Sequence, residues 1–157
     1  MGYLKGEKYR LKNTGRENLG TDVNIRGTGD DPLFQTQLQG LKSYRFDLLN
    51  GDYEIELFFA ELDGPNGKEN LLYDLEQLEK KQDQKGMDRV FDIRIGDHAL
   101  ATDLNVLREV RAFSVLRRKF QVKVHDDGNL VISFIPKKGE PILNAIRLKK
   151  INQSVNP

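Results

Sequence analysis

Hydrophobic and polar residues alternate with a period of two in six separate stretches of this chain. Within each stretch the apolar side chains fall on every second position and most of the intervening ones are charged or polar. The stretches are centred on Phe46, Ile55, Ile93, Val122, Ile132 and Ile146. Such alternation predicts strands with one face in a core and one in water, which is typical of antiparallel sheets.

Turn-forming dipeptides separate several of these stretches. Asn50-Gly51, Gly96-Asp97 and Asp127-Gly128 each follow one alternating run and precede another. Because a tight hairpin turn favours residues that tolerate positive φ, we expect each dipeptide to turn a strand back on its neighbour. About nine or ten short strands connected in this way indicate an all-β sandwich or barrel.

One segment departs from the period of two. Residues 68–85 carry leucines spaced three and four apart among charged and amide side chains: Leu71, Leu72, Leu75 and Leu78. This stripe predicts a short inserted helix that packs its apolar face against an end of the sandwich; a helix that binds a partner is the alternative. We expect one domain over residues 1–151, followed by a frayed polar tail over 152–157.

Composition narrows the class of protein. The 157 residues carry a net charge of +1, no cysteine and no apolar run of about 20 residues. These features argue against a nucleic-acid partner, a disulfide framework and a membrane span. No signal peptide opens the sequence, which leaves a cytoplasmic protein or a piece of a larger secreted one. Met1 and Gly2 look like residues left by cloning, which favours the second.

Reactive groups are sparse. His98 and His125 both occupy positions typical of exposed turn histidines, and no zinc or nucleophile motif is present. Glu54 and Glu56 share one face of a strand, where we expect solvent-facing charges. No reactive pair converges, so the sequence predicts a domain without catalysis of its own.

Three polar features allow more than one interpretation. The acidic segments 21–24 and 30–31 could supply calcium ligands, but a simple turn at Asp30 is the favoured interpretation, because the spacing matches no defined calcium-binding loop. Residues 104–123 carry a net charge of +5, which favours a solvated face over a nucleic-acid groove. Asn144 falls among apolar positions, so we expect its amide to tie a loop to the last strand.

Five motifs in order give the chain a family resemblance. They are Asn13-Thr14-Gly15, Leu33-Phe34-Gln35-Thr36, the strand from Gly51-Asp52-Tyr53 to Phe59-Ala60-Glu61, Arg89-Val90-Phe91-Asp92-Ile93 with Gly96, and Pro141 to Ile146. Together they resemble the malectin family of carbohydrate-binding domains. The resemblance implies a jelly-roll, galactose-binding-like sandwich that binds oligosaccharide in a pocket built by loops.

The resemblance also implies a context. The variants most similar to this chain are accessory domains of bacterial glycoside hydrolases, particularly β-galactosidases. It therefore implies a non-catalytic part of a periplasmic or extracellular enzyme, with the catalytic domain of that enzyme as a partner. The alternative is a structural or docking domain that has lost sugar binding.

Site residues follow from the same resemblance. Gln39, Asp63 and Glu140 occupy positions where the family places sugar-contacting residues, and Glu61 closes the Phe-Ala-Glu motif beside them. The family's aromatic residues are replaced there, so a stacking ring must come from elsewhere, with Tyr73 of the inserted helix as the candidate, or be missing. A pyranose needs such a platform because it has apolar C–H faces and a polar rim.

Overall fold

The computed structural model describes residues 2–4, 7–8, 20–63, 88–125 and 128–151. The predicted helix over 68–85, the tail 152–157 and Tyr73 lie outside these residues. The described residues form two short helices, α1 (Asp31–Phe34) and α2 (Val106–Glu109). Their strands are β1 (Gly2–Leu4), β2 (Glu7–Lys8), β3 (Leu38–Gln39), β4 (Ser43–Asp47), β5 (Gly51–Phe59), β6 (Val90–Ile95), β7 (His98–Leu104), β8 (Leu116–Val124), β9 (Asn129–Lys138), β10 (Ile142–Leu143) and β11 (Ala145–Lys150).

These strands are antiparallel, as the alternation predicts, and they build a sandwich, one of the two architectures that the strand pattern left open. One layer is a five-stranded sheet in the order β1-β4-β9-β6-β7. The facing strands form two three-stranded sheets in the orders β11-β5-β8 and β10-β3-β2. Asn144 separates β10 from β11 and lies where these two smaller sheets meet.

The main core lies between the two layers. Ile55, Leu57 and Phe59 of β5 are fully buried there, because alternate residues of a strand point to the same face. The ring of Phe59 lies 6.2 Å from that of Phe91, which lies 6.5 Å from that of Phe134 on the opposite sheet. Aromatic side chains thus connect the layers across the core.

A second apolar cluster covers the outer face of β5. Phe58 packs edge-on against Phe34 of α1 with 5.8 Å between ring centroids, and Ile25, Leu62 and Phe113 join them. The prediction that Glu56 faces solvent is therefore wrong. Its side chain is only 3% exposed, because neighbouring segments cover this face, and it pairs with Arg147.

Two of the three predicted hairpins are also wrong. Gly96-Asp97 does join the paired strands β6 and β7. The strands on either side of Asn50-Gly51, β4 and β5, instead lie in opposite sheets, as do β8 and β9 on either side of Gly128. Both edges of β4 are occupied, by β1 and β9, so β5 pairs elsewhere.

Candidate functional site

A cluster of polar side chains lies at one rim of the sandwich. We call Gln37, Gln39, Glu61, Asp63 and Arg89 the rim cluster. The first two come from the end of β3 and the residue before it, the two acids follow the end of β5, and Arg89 immediately precedes β6. Three segments distant in sequence therefore contribute to one site.

Arg89 is the centre of the rim cluster. Its Nε donates to Glu61 Oε2 at 3.0 Å, and its Nη2 donates to Asp63 Oδ2 at 2.6 Å. Its Nη1 donates to the backbone carbonyl of Glu140 at 3.2 Å. The guanidinium group is thus oriented by two separate segments at once, and the Arg89 side chain is only 11% exposed. A planar guanidinium held by two carboxylates gives the site a fixed geometry.

The two glutamines extend the network toward the centre of the sheet. Gln39 Nε2 donates to Asp63 Oδ2 and to Gln37 Oε1, both at 3.0 Å. Gln37 is buried, and its Nε2 donates to the carbonyl of Ala60 at 2.6 Å. A continuous path of hydrogen bonds therefore runs from Arg89 to the backbone beside Asn144.

Asn144 ties a loop to the last strand, as predicted. Its Nδ2 donates to the carbonyls of Phe34 and Thr36 at 2.8 and 2.9 Å, and its Oδ1 accepts from the backbone N–H of Ala60 at 2.8 Å. One side chain thereby satisfies backbone groups of two segments that no strand ladder pairs. It fixes the loop that leads into β3 and the rim cluster.

Burial raises the pKa of the Glu61 carboxyl above its ordinary value, and the nearby Arg89 cation opposes that rise. The Glu61 side chain is 1% exposed, whereas that of Asp63 is 20% exposed. Glu61 also accepts from the backbone N–H of Asp63 at 3.1 Å. Glu61 is therefore a buried anchor, and Asp63 is the more exposed acid of this pair.

The structure brings four of the five predicted site residues together. Gln39, Glu61 and Asp63 belong to the rim cluster. Glu140 joins them through its backbone carbonyl, which accepts from Arg89, while its exposed carboxylate lies beside Gly40, where a built Cβ would be 3.4 Å from Oε1. Sequence reasoning missed Arg89 and Gln37. Arg89 opens the Arg-Val-Phe-Asp motif, and its position immediately before a strand was the available signal.

Within the described residues no aromatic ring makes a cation–π contact with Arg89. Cavities of about 560 and 340 Å³ are lined by described residues elsewhere on the surface. The larger cavity is lined by the start of β5 and the ends of β8 and β11, including Asp52, Lys123 and Lys150. Neither cavity includes a residue of the rim cluster or Glu140.

The remaining candidates have plain structural roles. His98 and His125 are exposed, as predicted. In the described ranges no three His, Cys, Asp or Glu side chains are grouped closely enough to hold a metal ion, and Asp30 and Asp31 begin α1. Two cations of the 104–123 segment pair with acidic residues: Arg118 with Glu109 and Lys119 with Glu54. These surface pairs agree with a solvated face.

No helix in the described part of the chain is long and apolar enough to cross a membrane.

Comparison with known proteins assigns the family. The sequence model of the malectin domain family matches residues 4–146. This range is most of the chain and includes every residue of the rim cluster. The chain belongs to the malectin family. Members of this family are carbohydrate-binding modules and not catalytic domains, and the chain has the sandwich that the resemblance implied.

Solved structures show the same fold for this malectin domain. It is 26% identical to part of a β-glucuronidase from Bacteroides uniformis, with a TM-score of 0.70, covering 96% of this chain and 14% of that enzyme. It also matches the ectodomain of the receptor-like kinase ANX2 from Arabidopsis thaliana with a TM-score of 0.66 at 13% identity, covering 98% of this chain and 42% of that one. The second match shows the fold alone.

Curated relatives are much longer than this malectin domain. A kinesin-like protein KIN-14E from rice (Oryza sativa subsp. japonica) is 26% identical over 145 residues, covering 87% of the chain and 12% of the relative. The kinesin-like protein KIN-14R from Arabidopsis thaliana is 29% identical over 142 residues, covering 88% and 11%. The chain thus spans about one eighth of the length of the relatives it matches.

Proposed function

We propose that this malectin domain binds an oligosaccharide at the rim cluster and Glu140, without catalysing a reaction. The observation that carries the proposal is that the largely buried guanidinium of Arg89 holds Asp63 and the backbone of Glu140, with Gln39 bound to the same carboxylate, in a domain of a sugar-binding family. These side chains offer carboxylate and amide groups, which bind pairs of sugar hydroxyls as acceptors and donors.

The network supports binding by holding these groups in place before a ligand arrives. Arg89 fixes one oxygen of Asp63, and Gln39 donates to the same oxygen. Both of these bonds end on Oδ2, and no hydrogen bond joins Asp63 Oδ1 to another described residue. Oδ1 is therefore available to a sugar hydroxyl. A preorganised site loses less side-chain entropy on binding. In this proposal Tyr73 supplies the stacking ring.

Titration calorimetry with neutral oligosaccharides, chosen from a glycan array, tests the proposal. Asp63→Asn keeps the shape of the side chain and its contact with Arg89, whereas Glu140→Ala removes an exposed carboxylate. We expect each variant to weaken binding about tenfold, the effect of losing one charge-assisted hydrogen bond. Asp97→Asn, on the exposed β6–β7 turn, is the matched control and should bind normally. Silence of the unmodified domain across the array would refute the proposal.

We infer a glycoside hydrolase as the parent polypeptide. The 26% identity to a Bacteroides uniformis β-glucuronidase over nearly the whole chain supports this context, with a bacterial β-galactosidase as the expected enzyme. The same proposal assigns the domain to the periplasm or the extracellular space, with the catalytic domain as its partner.

We also propose that residues 1–151 are the folded unit. Removing residues 152–157 should therefore leave the midpoint of thermal unfolding unchanged.

A docking domain without sugar binding is the second candidate. Two observations favour it: the polar groups of the rim cluster largely satisfy one another, and no aromatic ring among the described residues makes a cation–π contact with Arg89. Exposed Leu4, Val131 and Ile135 lie on the outer face of the five-stranded sheet, where a partner domain could pack. This candidate predicts no glycan binding, and a parent enzyme that loses stability when Val131→Asp or Ile135→Asp is introduced.

A further inference from the structure

A second site, separate from the rim cluster, lies on the outer face of the sheet β11-β5-β8. Phe58 of β5 lies at its centre, opposite Arg117 on β8 and Ala145 on β11. The guanidinium carbons of Arg117 and Arg147 lie 5.7 and 5.9 Å from the centroid of the Phe58 ring. Two cations from the strands on either side of β5 therefore approach one aromatic ring.

A cavity of about 340 Å³ opens at this point, and we call it the Phe58 cavity. Its lining comes from β5, β8, β11 and the segment around α1: Thr28, Asp30, Leu33, Phe34, Phe58, Arg117, Ala145, Ile146 and Arg147. Its volume is at the lower end of the range for small-molecule sites, about 300–1,000 Å³. A single sugar unit is a ligand of suitable size.

We propose that the Phe58 cavity binds one uronic-acid unit, with its carboxylate on the guanidinium of Arg117 and its hydroxyls on Asp30 and Thr28. A guanidinium near an aromatic face can keep its N–H edge directed outward, where it binds a carboxylate through two parallel hydrogen bonds. In the described part of the chain Arg117 has no acidic partner, whereas Arg147 is paired with the buried Glu56.

The surroundings of Phe58 argue against a neutral sugar stacked on its ring. Phe58 is only 6% exposed, because Phe34 packs against it and the two guanidinium groups lie near it. Little ring surface is left for the C–H face of a pyranose, so recognition must come from charge and hydrogen bonds. The carboxylate of Asp30 would also oppose a simple anion, and therefore a ligand with both a carboxylate and hydroxyls fits best.

Nuclear magnetic resonance titration of the full ¹⁵N-labelled chain tests this site. Sodium D-glucuronate is the probe, and D-glucose and sodium acetate are the neutral and simple-anion comparisons. We expect glucuronate alone to shift the backbone amides of Phe58, Arg117 and Ala145, with a dissociation constant of about 1 mM. Arg117→Gln should weaken binding about tenfold, because it removes one charge-assisted pair.

Arg111→Gln is the matched control, since Arg111 is an exposed arginine outside the cavity. An unchanged spectrum outside the cavity shows that each variant is folded, as expected for substitutions of exposed side chains. Equal shifts with glucose or acetate, or unchanged affinity in Arg117→Gln, would overturn the proposal. Glucuronate shifts confined to Gln39, Asp63 and Arg89 would also overturn it, by moving the ligand to the rim cluster. Binding of neutral oligosaccharide at the rim cluster is independent of every one of these results.

Discussion

Replacing Arg89 by methionine removes the cation that two carboxylates share and keeps a side chain of similar length. Glu61 would then remain buried with one recorded hydrogen bond, from the backbone N–H of Asp63. Removing one partner of a buried ion pair costs about 3–5 kcal/mol. We expect the lower end, about 3 kcal/mol at about pH 7, because Asp63 is partly exposed and solvent screens its share.

The cost of this substitution should depend on pH in a defined direction. The pKa of Glu61 is already raised in the folded protein, so its stabilising contribution is complete below its ordinary value of 4.5 and is lost as the pH rises through the folded value. Without Arg89 the folded pKa rises further. The stability difference between Arg89→Met and the unmodified protein should therefore be largest at neutral pH and shrink toward acid.

Urea denaturation at about pH 7 and about pH 5 measures both effects. A loss of about 3 kcal/mol lowers the midpoint by about 1.5 M urea for a typical slope of about 2 kcal/mol/M. Arg45→Met is the matched control, because its pair with Asp47 is 59% and 58% exposed and should contribute less than about 1 kcal/mol.

A double variant separates lost charge from lost packing. Adding Glu61→Gln to Arg89→Met removes the unpaired carboxylate, so it should recover about 1 kcal/mol or more. The reasoning is refuted if Arg89→Met costs no more than Arg45→Met, or if its cost grows as the pH falls.

Two further substitutions test how the segments are held, with urea midpoints as the measurement. Gly128 has a φ of +69°, and a Cβ there would lie 2.0 Å from the carbonyl oxygen of Leu48, so Gly128→Ala should cost at least about 3 kcal/mol. Gly96→Ala, at a φ of +54° with open space around it, should cost only about 1 kcal/mol, and equal costs would contradict this account. Asn144→Ala should cost about 3 kcal/mol, because it leaves the N–H of Ala60 and two loop carbonyls without their partner. Asn144→Asp should cost at least as much, since a carboxylate oxygen would face those carbonyls, and a well-tolerated aspartate would exclude this role.

Local pattern was a reliable guide to the strands and a poor guide to their partners. The alternation around Ile55 predicted β5 because side-chain direction in a strand depends only on sequence parity. The turn at Gly96 was predicted for a similarly local reason. Asn50-Gly51 favours a turn, but which strand pairs with β5 depends on which sheet edges are available. That choice is made by β1, β8, β9 and β11, which are distant in sequence.

The candidate site shows the same contrast between what the sequence predicts and what the fold decides. Family resemblance selected Gln39, Glu61, Asp63 and Glu140 one position at a time, and the fold brings them to one rim. Arg89 was missed because its place at the start of a strand motif indicates its position but not its partners. Its role comes from reaching two carboxylates on the segment after β5 and a carbonyl on the segment before β10.

The sequence by itself determined that this chain forms antiparallel sheets with one buried face, because the period of its apolar residues decides which faces can be buried. It also determined the family, through motifs that survive in order. Only the tertiary structure decided that Glu56 is buried, that Arg89 organises the rim, and that Arg117 and Arg147 meet at Phe58. These contacts join residues far apart in the chain, so they form only when the strands have paired in the folded protein.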